Sequence, residues 1–368
     1  MPGNQSLDIV IPSYRLDESV LLNIIQLQHP ENWHVFTYII VDNIELAIPS
    51  SLQQLQREGK IQVSVNAKNI GVSASRNIGI GCGTSKWILL LDDDIIPDPF
   101  LLLAYARAIE ANAEALGFVG VVDFPKPVND ATLALEINGS LTHFNMARHK
   151  PSMIWAPTAN IVLNRNKMHP GLFDTGLTKS GEDIDFLVRN SLLFNERYIS
   201  VSDALAVHPW WDNGTVQSNR LFRYGEGGAQ IAMKSPVKEY TYRDFTNTVE
   251  TLLLLVLLWP VAMFYGYGAL IGKLALVIIV AEFLTNWLKV IIKGKLYSPM
   301  VAFYLMWIKN CYEAGYMVAA LGSGHIAGFG ERVDLGFARP HPSPFRLNRW
   351  KIIKLLLISG MLFLIVIS

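Results

Sequence analysis

Three adjacent aspartates, Asp92 to Asp94, directly follow the apolar segment WILLL, which covers residues 87–91. Like charges this close repel one another unless a cation or a ligand neutralises them. A hard divalent ion, held by carboxylate oxygens and by substrate phosphates, is a common solution in proteins. A solvated acidic turn is the alternative, because Asp is frequent in turns. The cluster therefore predicts either an acidic turn or a site for a metal ion and a phosphorylated ligand.

A second group of acids, Glu182, Asp183 and Asp185, begins an apolar helical pattern directly after Gly181. Acids at a helix N-terminus interact favourably with the helix dipole, so a structural role is one interpretation. A carboxylate can also take the proton of an attacking hydroxyl group, which is the role of a general base. The segment therefore supplies three candidates for a base.

Further polar residues occur where other predicted strands end. Asp42 follows the apolar run FTYIIV, and His208 follows another predicted strand. The segment NIGVSASRNIG (69–79) places Arg76 near the start of a predicted helix, with Ser73 as its N-cap. A guanidinium and backbone N–H groups at such a place can bind phosphate or a base. The alternatives are an arginine on a helix surface and a histidine with a structural role.

Alternating strands and helices would position these residues. Strands are predicted over residues 8–12, 36–41, 61–65, 87–91, 117–122, 155–163 and 198–202, and helices over 16–28, 73–81, 99–116 and 182–193. Buried strands that alternate with helices predict a parallel α/β sheet. In such sheets ligands bind beyond the carboxyl ends of the strands. Tyr14, Asp42 and the three aspartates all fall at these ends.

The segment 207–228 is polar, aromatic and glycine-rich, which predicts a loop with a short helix. Its adjacent tryptophans, Trp210 and Trp211, are suited to stacking on a sugar ring or to lying at a membrane surface. Gln217 and Arg220 are about one helical turn apart, so their side chains can share a face.

Charge and cysteine content exclude some classes of protein. The 368 residues contain 31 Lys and Arg and 31 Asp and Glu, so nucleic acid is not an expected partner. Cys82 and Cys311 have no metal-ligand spacing and predict no disulfide framework, which is compatible with a reducing compartment. The polar N-terminus lacks the pattern of a signal peptide, and we therefore expect the first domain in the cytoplasm.

Apolar residues are concentrated beyond Thr251. They predict membrane spans over about residues 249–267, 269–292 and 350–368. The segment 299–321 contains charged residues and is either a fourth span or an interfacial helix. The interfacial position keeps the following basic loop in the cytoplasm, as the positive-inside rule requires. We expect a cytoplasmic catalytic domain over 1–233 and a membrane region over 234–368, in an integral protein of a plasma or inner membrane.

Together these motifs resemble the family 2 glycosyltransferases. The resemblance is carried, in chain order, by IVIPSYR (9–15), IIVDN (39–43), NIGVSASRNIG (69–79), LDDD (91–94), TAN (158–160), GEDID (181–185) and His208. It implies the GT-A fold, which is the Rossmann-like α/β fold of nucleotide-diphospho-sugar transferases. It also implies an inverting sugar transfer from a nucleotide-diphosphate donor with Mg²⁺ or Mn²⁺.

The resemblance further implies roles for single residues. It places at the nucleotide site Pro12, Tyr14, Arg15, Asp42, Asn69, Arg76, Asp92 and Asp93. Asp92 and Asp94 match the outer acids of the DxD motif; with His208 they are the predicted metal ligands, and Asp94 is the first choice. Asp183 matches the proposed base, with Glu182 and Asp185 as contenders. The residues predicted on the acceptor side are Asn160, Trp210, Trp211, Gln217 and Arg220.

Two departures from the family pattern bear on function. Asn43 follows Asp42 where the family often has a second acid. Leu221 stands where processive synthases have the Trp of QxxRW, which favours transfer of a single sugar. The predicted spans fit a lipid-linked acceptor, and a glycan acceptor is the alternative. A processive polysaccharide synthase and a catalytically inactive nucleotide-binding scaffold in the membrane are the competing hypotheses.

Overall fold

A computed structural model describes residues 5–343 and 346–367 of the chain. The chain divides into two compact units. The first contains Met1–Lys126, Leu141–Thr178 and Glu182–Trp210, and the second contains Pro127–Ser140, Lys179–Gly181 and Trp211–Ser368. The first four residues of the predicted catalytic domain and the last residue of the third predicted span, Ser368, lie outside the described residues. The expected domain boundary after residue 233 stays a prediction.

A nine-stranded sheet forms the centre of the first unit, as far as the chain is described. Its strands are β1 Gln5–Ser13, β2 Trp33–Val41, β3 Ile61–Val65, β4 Trp87–Leu91, β5 Ile96–Pro97, β6 Gly117–Asp123, β7 Ser152–Met153, β8 Asn160–Asn164 and β9 Tyr198–Val207. Their order is β3-β2-β1-β4-β8-β6-β9-β5, and β7 pairs with β9.

The sheet is mixed, so the expectation of an all-parallel sheet is wrong. Strands β1 to β4 are parallel to one another, but β8 lies antiparallel between β4 and β6, with Leu91 opposite Asn160. Antiparallel neighbours need no helical crossover, and the chain enters β8 through the irregular segment 154–159. Because β8 is antiparallel to both neighbours, β6 and its parallel partner β9 point the same way as β4. The carboxyl ends of β1, β2, β4, β6 and β9 therefore share one edge of the sheet.

Helices flank this sheet in sequence much as predicted. They are α1 Glu18–Ile25, α2 Ser50–Arg57, α3 Val72–Cys82, α4 Leu101–Ala111 and α6 Glu182–Phe194, while α5 (Asp130–Asn138) belongs to the second unit. The predicted N-cap of α3 is wrong: Ser73 lies inside the helix, and Gly71 precedes it with φ +87°, which favours glycine. Helix α2 was not predicted, because it buries a single apolar side chain, that of Leu52.

The central strands are completely buried. All five residues of β4 are inaccessible to solvent, as are Leu7 and Ile11 of β1 and Ile39 of β2. Burying one such aliphatic side chain contributes about 1.5–3 kcal/mol, so these strands form a rigid platform. The loops that begin at their carboxyl ends are therefore anchored at their first residues.

The second unit is largely helical. Its elements are α5 Asp130–Asn138, α7 Ser218–Ala232, β10 Thr241–Arg243, α8 Thr248–Phe264, α9 Gly268–Gly294, α10 Pro299–Gly322, β11 Glu331–Val333 and α11 Arg349–Ile367. Helix α10 packs along α7, α9 contacts α8, α10 and α11, and β10 pairs antiparallel with β11. The 15-residue α7 replaces the short helix that we expected in the segment 207–228.

One helix in the described part of the chain, the 27-residue α9, is long and apolar enough to cross a membrane. Helix α8 is apolar but has only 17 residues. Length and composition alone support this assignment, so the three spans and the interfacial position of α10 remain proposals.

Candidate active site

The acidic and basic residues singled out from the sequence converge at one edge of the sheet in the first unit. Tyr14 follows β1, Asp42 follows β2 and Asp92 follows β4, at the carboxyl ends of parallel strands. His208 directly follows β9 at the same edge. Strand β5 then pairs Ile96 with Val207, which brings the turn of the three aspartates beside His208.

Asp94 lies between two cationic or potentially cationic side chains. His208 Nε2 is 3.3 Å from its Oδ1, and Arg15 Nη1 is 2.8 Å from its Oδ2. Burial alone would raise the pKa of Asp94, but the hydrogen bond and charge of His208 and the charge of Arg15 hold that pKa below its usual range. Burial opposes protonation of His208, yet the hydrogen bond to Asp94 raises the His208 pKa above its usual value. Asp94 is therefore ionised at neutral pH.

The tautomer of His208 suits a metal ligand. Its Nδ1 is 2.6 Å from the carbonyl oxygen of Pro209, which can only accept a hydrogen bond, so Nδ1 carries the proton. In the neutral ring the Nε2 lone pair then faces Asp94 Oδ1. The lone pairs of Nε2 and Oδ1 repel each other at this distance unless a proton or a cation lies beside both. A histidine that binds a metal through one ring nitrogen usually donates a hydrogen bond from the other, as Nδ1 does here.

The residues present fit a divalent ion that is only partly coordinated by protein. Within residues 5–343 and 346–367, no group of three or more His, Cys, Asp and Glu side chains is arranged to hold a metal ion. Asp94 and His208 supply one oxygen and one nitrogen, and phosphates of a bound donor and water would supply the others, as Mg²⁺ usually requires. Asp92 forms an ion pair with Arg76, and its role as a metal ligand stays a prediction.

Asp93 holds the loop that follows β1. Its Oδ2 accepts hydrogen bonds from Ser13 Oγ at 2.8 Å and from the backbone N–H groups of Tyr14 and Arg15 at 3.0 and 3.1 Å. The side chain is buried. With three donors, Oδ2 has no acceptor position left for a nucleotide. Asp93 therefore fixes the backbone of Tyr14 and Arg15, and the structure does not support direct nucleotide binding through this oxygen.

Asp42 plays a similar part at the loop before α3. Its Oδ1 accepts from Asn66 Nδ2 and Ile70 N, and its Oδ2 accepts from Gly71 N, all within 2.9 Å. Asn69 is exposed and also accepts from Gly71 N at 3.1 Å. One acceptor position of Oδ2 remains for a ligand. Pro12 lies buried in β1, and Tyr14 beyond it is 57% exposed.

Arg76 is the centre of an ion-pair bridge. It lies in the second turn of α3, is buried, and pairs through Nη2 with Asp92 Oδ1 at 3.0 Å and through Nη1 with Glu182 Oε1 at 2.9 Å. Two carboxylates hold the guanidinium, and the predicted place of Arg76 in the nucleotide site stays a prediction. Burial and the charge of Asp94 raise the pKa of Asp92 against the opposing charge of Arg76.

The three candidate bases of α6 have different environments. Glu182 is bound to Arg76, and Asp185 is buried and pairs with Arg189 at 2.7 Å, which also donates to the carbonyl of Leu172. Asp183 forms no ion pair with any described residue. Burial, together with the charge of Glu182, raises the pKa of Asp183 to about 7. Asp183 is thus the acid best placed to exchange a proton near neutral pH.

Asn160 does not fit the acceptor-side role that we expected. It is buried, its Nδ2 donates to the carbonyl groups of Val121 and Ala204, and its Oδ1 accepts from Tyr105 OH at 2.8 Å. All its hydrogen-bonding groups are used inside the sheet. Asn160 therefore stabilises the junction of β8 with its neighbours.

The other predicted acceptor-side residues fall into both units. In the first, Trp210 is buried and donates from Nε1 to the carbonyl of Lys126 at 3.1 Å. In the second, Arg220 Nε bonds Gln217 Oε1 at 3.2 Å and its guanidinium lies 4.6 Å from the centre of the Trp211 ring. Gln217 and Arg220 are thus in contact, which is consistent with side chains on one helix face, while their relation to an acceptor stays a prediction.

Phe124 is a site residue that the sequence did not reveal. Its ring stacks on His208 with centroids 5.1 Å apart and planes 12° apart, and so fixes the orientation of the imidazole. Its position one residue beyond β6, at the edge shared with β4 and β9, was the available signal. Recognising that signal required the true strand order.

A comparison with family models gives a match in the first part of the chain. Residues 8–170, slightly under half of the chain, match the model described as Glycosyl transferase family 2. This match supports the predicted resemblance over residues 8–170, where the chain is similar to the family 2 glycosyltransferases. The match includes the loops of Tyr14, Asp42 and Asp94 and ends before Asp183 and His208.

Several solved structures are distantly similar. A crystal structure of GalNAc-T7 with UDP, GalNAc and Mn²⁺ has 14% identity and a TM-score of 0.44, covering 67% of this chain and 51% of its own. The mannosyltransferase PcManGT from Pyrobaculum calidifontis, in complex with GDP-Man and Mn²⁺, has 14% identity and a TM-score of 0.46, covering 86% and 87%. S. aureus TarS 1-349 has 12% identity and a TM-score of 0.40, covering 86% and 92%. This chain thus spans about half the length of GalNAc-T7. No curated protein sequence matches it significantly.

Proposed function

We propose that this enzyme transfers a single sugar, with inversion, from a nucleotide-diphosphate donor to a membrane-associated, lipid-linked acceptor, and that the transfer depends on Mg²⁺ or Mn²⁺. The observation that carries the proposal is the position of Asp94. It is ionised, sits beyond a central strand, and is flanked by the oriented imidazole of His208 and by Arg15.

The donor side follows from this arrangement. Asp94 and His208 would hold the divalent ion, which when bound supplies Lewis-acid neutralisation of charge on the departing diphosphate. The loops fixed by Asp93 and Asp42 would position the nucleotide, with Tyr14 exposed for contact with it. Asp92 is kept in place by Arg76 through a 3.0 Å ion pair and adds negative charge beside the metal ligands.

The acceptor side rests on Asp183. A pKa of about 7 means that this carboxylate can take a proton from an acceptor hydroxyl group near neutral pH. Direct displacement with one such base inverts the configuration at the sugar carbon. A phosphate acceptor is largely deprotonated at this pH and needs no base. The base therefore favours a hydroxyl group, as on a glycan carried by a lipid, over a bare lipid phosphate.

The membrane part of the proposal rests on α9 and on the exposed apolar residues of α8, among them Leu257, Trp259 and Phe264. Exposed apolar surface of this extent is unfavourable in water and suits a bilayer. We propose that the catalytic domain lies on the cytoplasmic face of a plasma or inner membrane. Resistance of the full chain to alkaline carbonate extraction would support integration, and release would contradict it.

The decisive experiment measures nucleotide release by the purified, detergent-solubilised full chain. A panel of UDP-, GDP- and dTDP-sugars is offered with Mn²⁺ or Mg²⁺, with and without lipid extract, and again with a chelator. The Asp94→Asn and Asp183→Asn variants test the site, and Arg57→Gln, an exposed change on α2, is the matched control.

We expect release from one class of donor, lost with chelator, stimulated by lipid and abolished in Asp94→Asn. Release that ignores both chelator and Asp94→Asn would reject the metal site. Nucleotide binding without release from any donor would favour the inactive scaffold, and long polymer made from donor alone would favour a processive synthase.

A further inference from the structure

Arg15 occupies one oxygen of the carboxylate that we assign to the metal. Its Nη1 lies 2.8 Å from Asp94 Oδ2 and 3.4 Å from Asp93 Oδ1, while His208 approaches the other oxygen of Asp94. Arg15 thus neutralises part of the charge of the three adjacent aspartates. A divalent ion that binds Asp94 has to compete with this guanidinium, because both need the same carboxylate.

The backbone of Arg15 is fixed, but its side chain is not enclosed. Asp93 holds the N–H groups of Tyr14 and Arg15, and Ser13 Oγ, which donates to Asp93, also accepts from Leu16 N at 3.0 Å. The Arg15 side chain itself is 52% exposed. Water can therefore solvate the guanidinium when it leaves Asp94, which lowers the cost of separating the pair, while the Cα of Arg15 stays at the site.

The other arginine of the site cannot move in this way. Arg76 has only 4% of its side chain exposed and is held by Asp92 and Glu182 at 3.0 and 2.9 Å. Removing it from these partners would leave two carboxylates without a counterion. Arg15 is therefore the more exposed cation beside the aspartates, and Arg76 is the buried one.

We propose that Arg15 is an exchangeable cation: it pairs with Asp94 in the free enzyme, yields this carboxylate to the divalent ion when the donor binds, and then pairs with the donor diphosphate. A guanidinium suits the second task because its planar fork matches phosphate oxygens. The inference rests on the proposed metal-dependent use of a nucleotide-diphosphate donor and adds one residue that governs both binding steps.

The exchange makes two binding constants move in opposite directions. Without the guanidinium, Mn²⁺ alone no longer competes with Arg15 for Asp94, and its affinity rises by at least about twofold to fivefold, the size of a solvent-screened ion pair. A nucleoside diphosphate loses a charge-assisted contact, and its affinity falls by about 10- to 100-fold. If Arg15 were needed only for folding, its loss would weaken the binding of both Mn²⁺ and the nucleotide. If it acted only on the metal, its loss would change the affinity for Mn²⁺ alone.

The test is calorimetric titration of the full chain in detergent, first with Mn²⁺ alone and then with UDP, GDP or dTDP at saturating Mn²⁺, using whichever the parent binds best. The variants are Arg15→Gln, the charge-conserving Arg15→Lys, Asp94→Asn to locate the ion, and Arg57→Gln as the control on α2. Thermal unfolding of each variant checks that it is folded.

We expect Arg15→Gln to bind Mn²⁺ more tightly and the nucleotide more weakly, Arg15→Lys to stay near the parent for Mn²⁺, and Arg57→Gln to match the parent. Weaker or unchanged Mn²⁺ binding in Arg15→Gln overturns the exchange. If neither the parent nor Arg15→Gln binds Mn²⁺, the exchange and the metal site both fail. Metal-dependent donor release without the opposite shifts would reject the exchange alone and leave the proposed function standing.

Discussion

At the scale of single residues, ion pairing separates the three acids at the start of α6. Glu182 is held by Arg76 and Asp185 by Arg189, so both carboxylates are committed to structure. Asp183 has no such partner within the described residues, and its pKa is raised to about 7. A base with a pKa near the working pH combines a useful deprotonated fraction with proton affinity. The geometry therefore favours Asp183 among the three candidates.

Replacing Asp183 by Asn should remove the base without disturbing the fold. We expect kcat to fall by about 10²- to 10⁴-fold, the usual contribution of a general base. Nucleotide affinity should be unchanged, because the donor loops lie after β1, β2 and β4. Steady-state kinetics and nucleotide titration check this. Full activity in the variant would remove Asp183 from the mechanism.

The pH dependence of transfer should report the same group. Asp183 must be deprotonated to act, and its raised pKa predicts that kcat/KM increases with pH through about 7. Glu182→Gln removes a neighbouring negative charge, so the pKa of Asp183 should fall and the acidic limb should move to lower pH. Glu110→Gln, an exposed change on α4, should leave the profile unchanged. A limb that Glu182→Gln does not move would assign it to another group.

The sequence indicated which residues meet at the site but not which atoms they bind. Asp92 to Asp94 end a buried strand, and that was enough to place them at a ligand-binding edge. The division of work among them was not predictable, because it depends on donors from distant segments. Asp93 accepts a hydrogen bond from the backbone of the loop after β1. Asn160 matches a family motif, but its side-chain amide donates both of its hydrogen bonds to carbonyl groups of its own sheet.

At the scale of elements, glycines determine how α7 packs on α10. A Cβ atom at Gly225 would lie 2.0 Å from the carbonyl oxygen of Tyr312, and one at Gly315 would lie 1.9 Å from that of Phe222. The two helix backbones are therefore in direct contact. Glycine-rich sequence in the segment 207–228 predicted a loop, because glycine weakens a helix in isolation; tertiary packing reverses that preference here.

Alanine at either contact should push the helices apart. We expect Gly225→Ala and Gly315→Ala each to destabilise the chain by about 1–3 kcal/mol, the usual effect of overpacking. Gly272→Ala in α9 is the matched control: no atom lies within 4 Å of its Cβ position, and alanine favours a helix by about 0.5–1 kcal/mol. Thermal unfolding in detergent compares the three. Equal stability of all three variants would contradict backbone contact.

Strand prediction succeeded where periodicity was strong and failed where topology mattered. The strands predicted over 61–65 and 87–91 have the bounds of β3 and β4, while the strand predicted over 36–41 misses the first three residues of β2. The two-residue β5 left no periodic signal, yet its pairing with β9 brings His208 to Asp94. Strand direction is a property of the whole sheet, so the reversal at β8 could not be derived from local sequence.

At the scale of the whole molecule, buried charges join four helices of the second unit. Glu282 of α9 pairs with Lys309 of α10 at 2.8 Å and with Lys354 of α11 at 2.5 Å. Thr248, at the start of α8, donates its hydroxyl to Glu282 and its N–H to Glu313 of α10. Segments predicted separately as spans and an interfacial helix are thus linked. A search for apolar runs could not show this, since it treats each charge as an interruption.

Removing the central carboxylate should therefore loosen the helices together. Glu282→Gln leaves Lys354 buried without a counterion, and we expect a loss of about 3–5 kcal/mol. Lys273→Gln, an exposed change on α9, should have little effect. Adding Lys354→Met to Glu282→Gln removes the orphan charge, so the double variant should be more stable than the single one. Thermal unfolding in detergent measures all three; a double variant no more stable than Glu282→Gln would show that packing, and not charge pairing, holds α9 to α11.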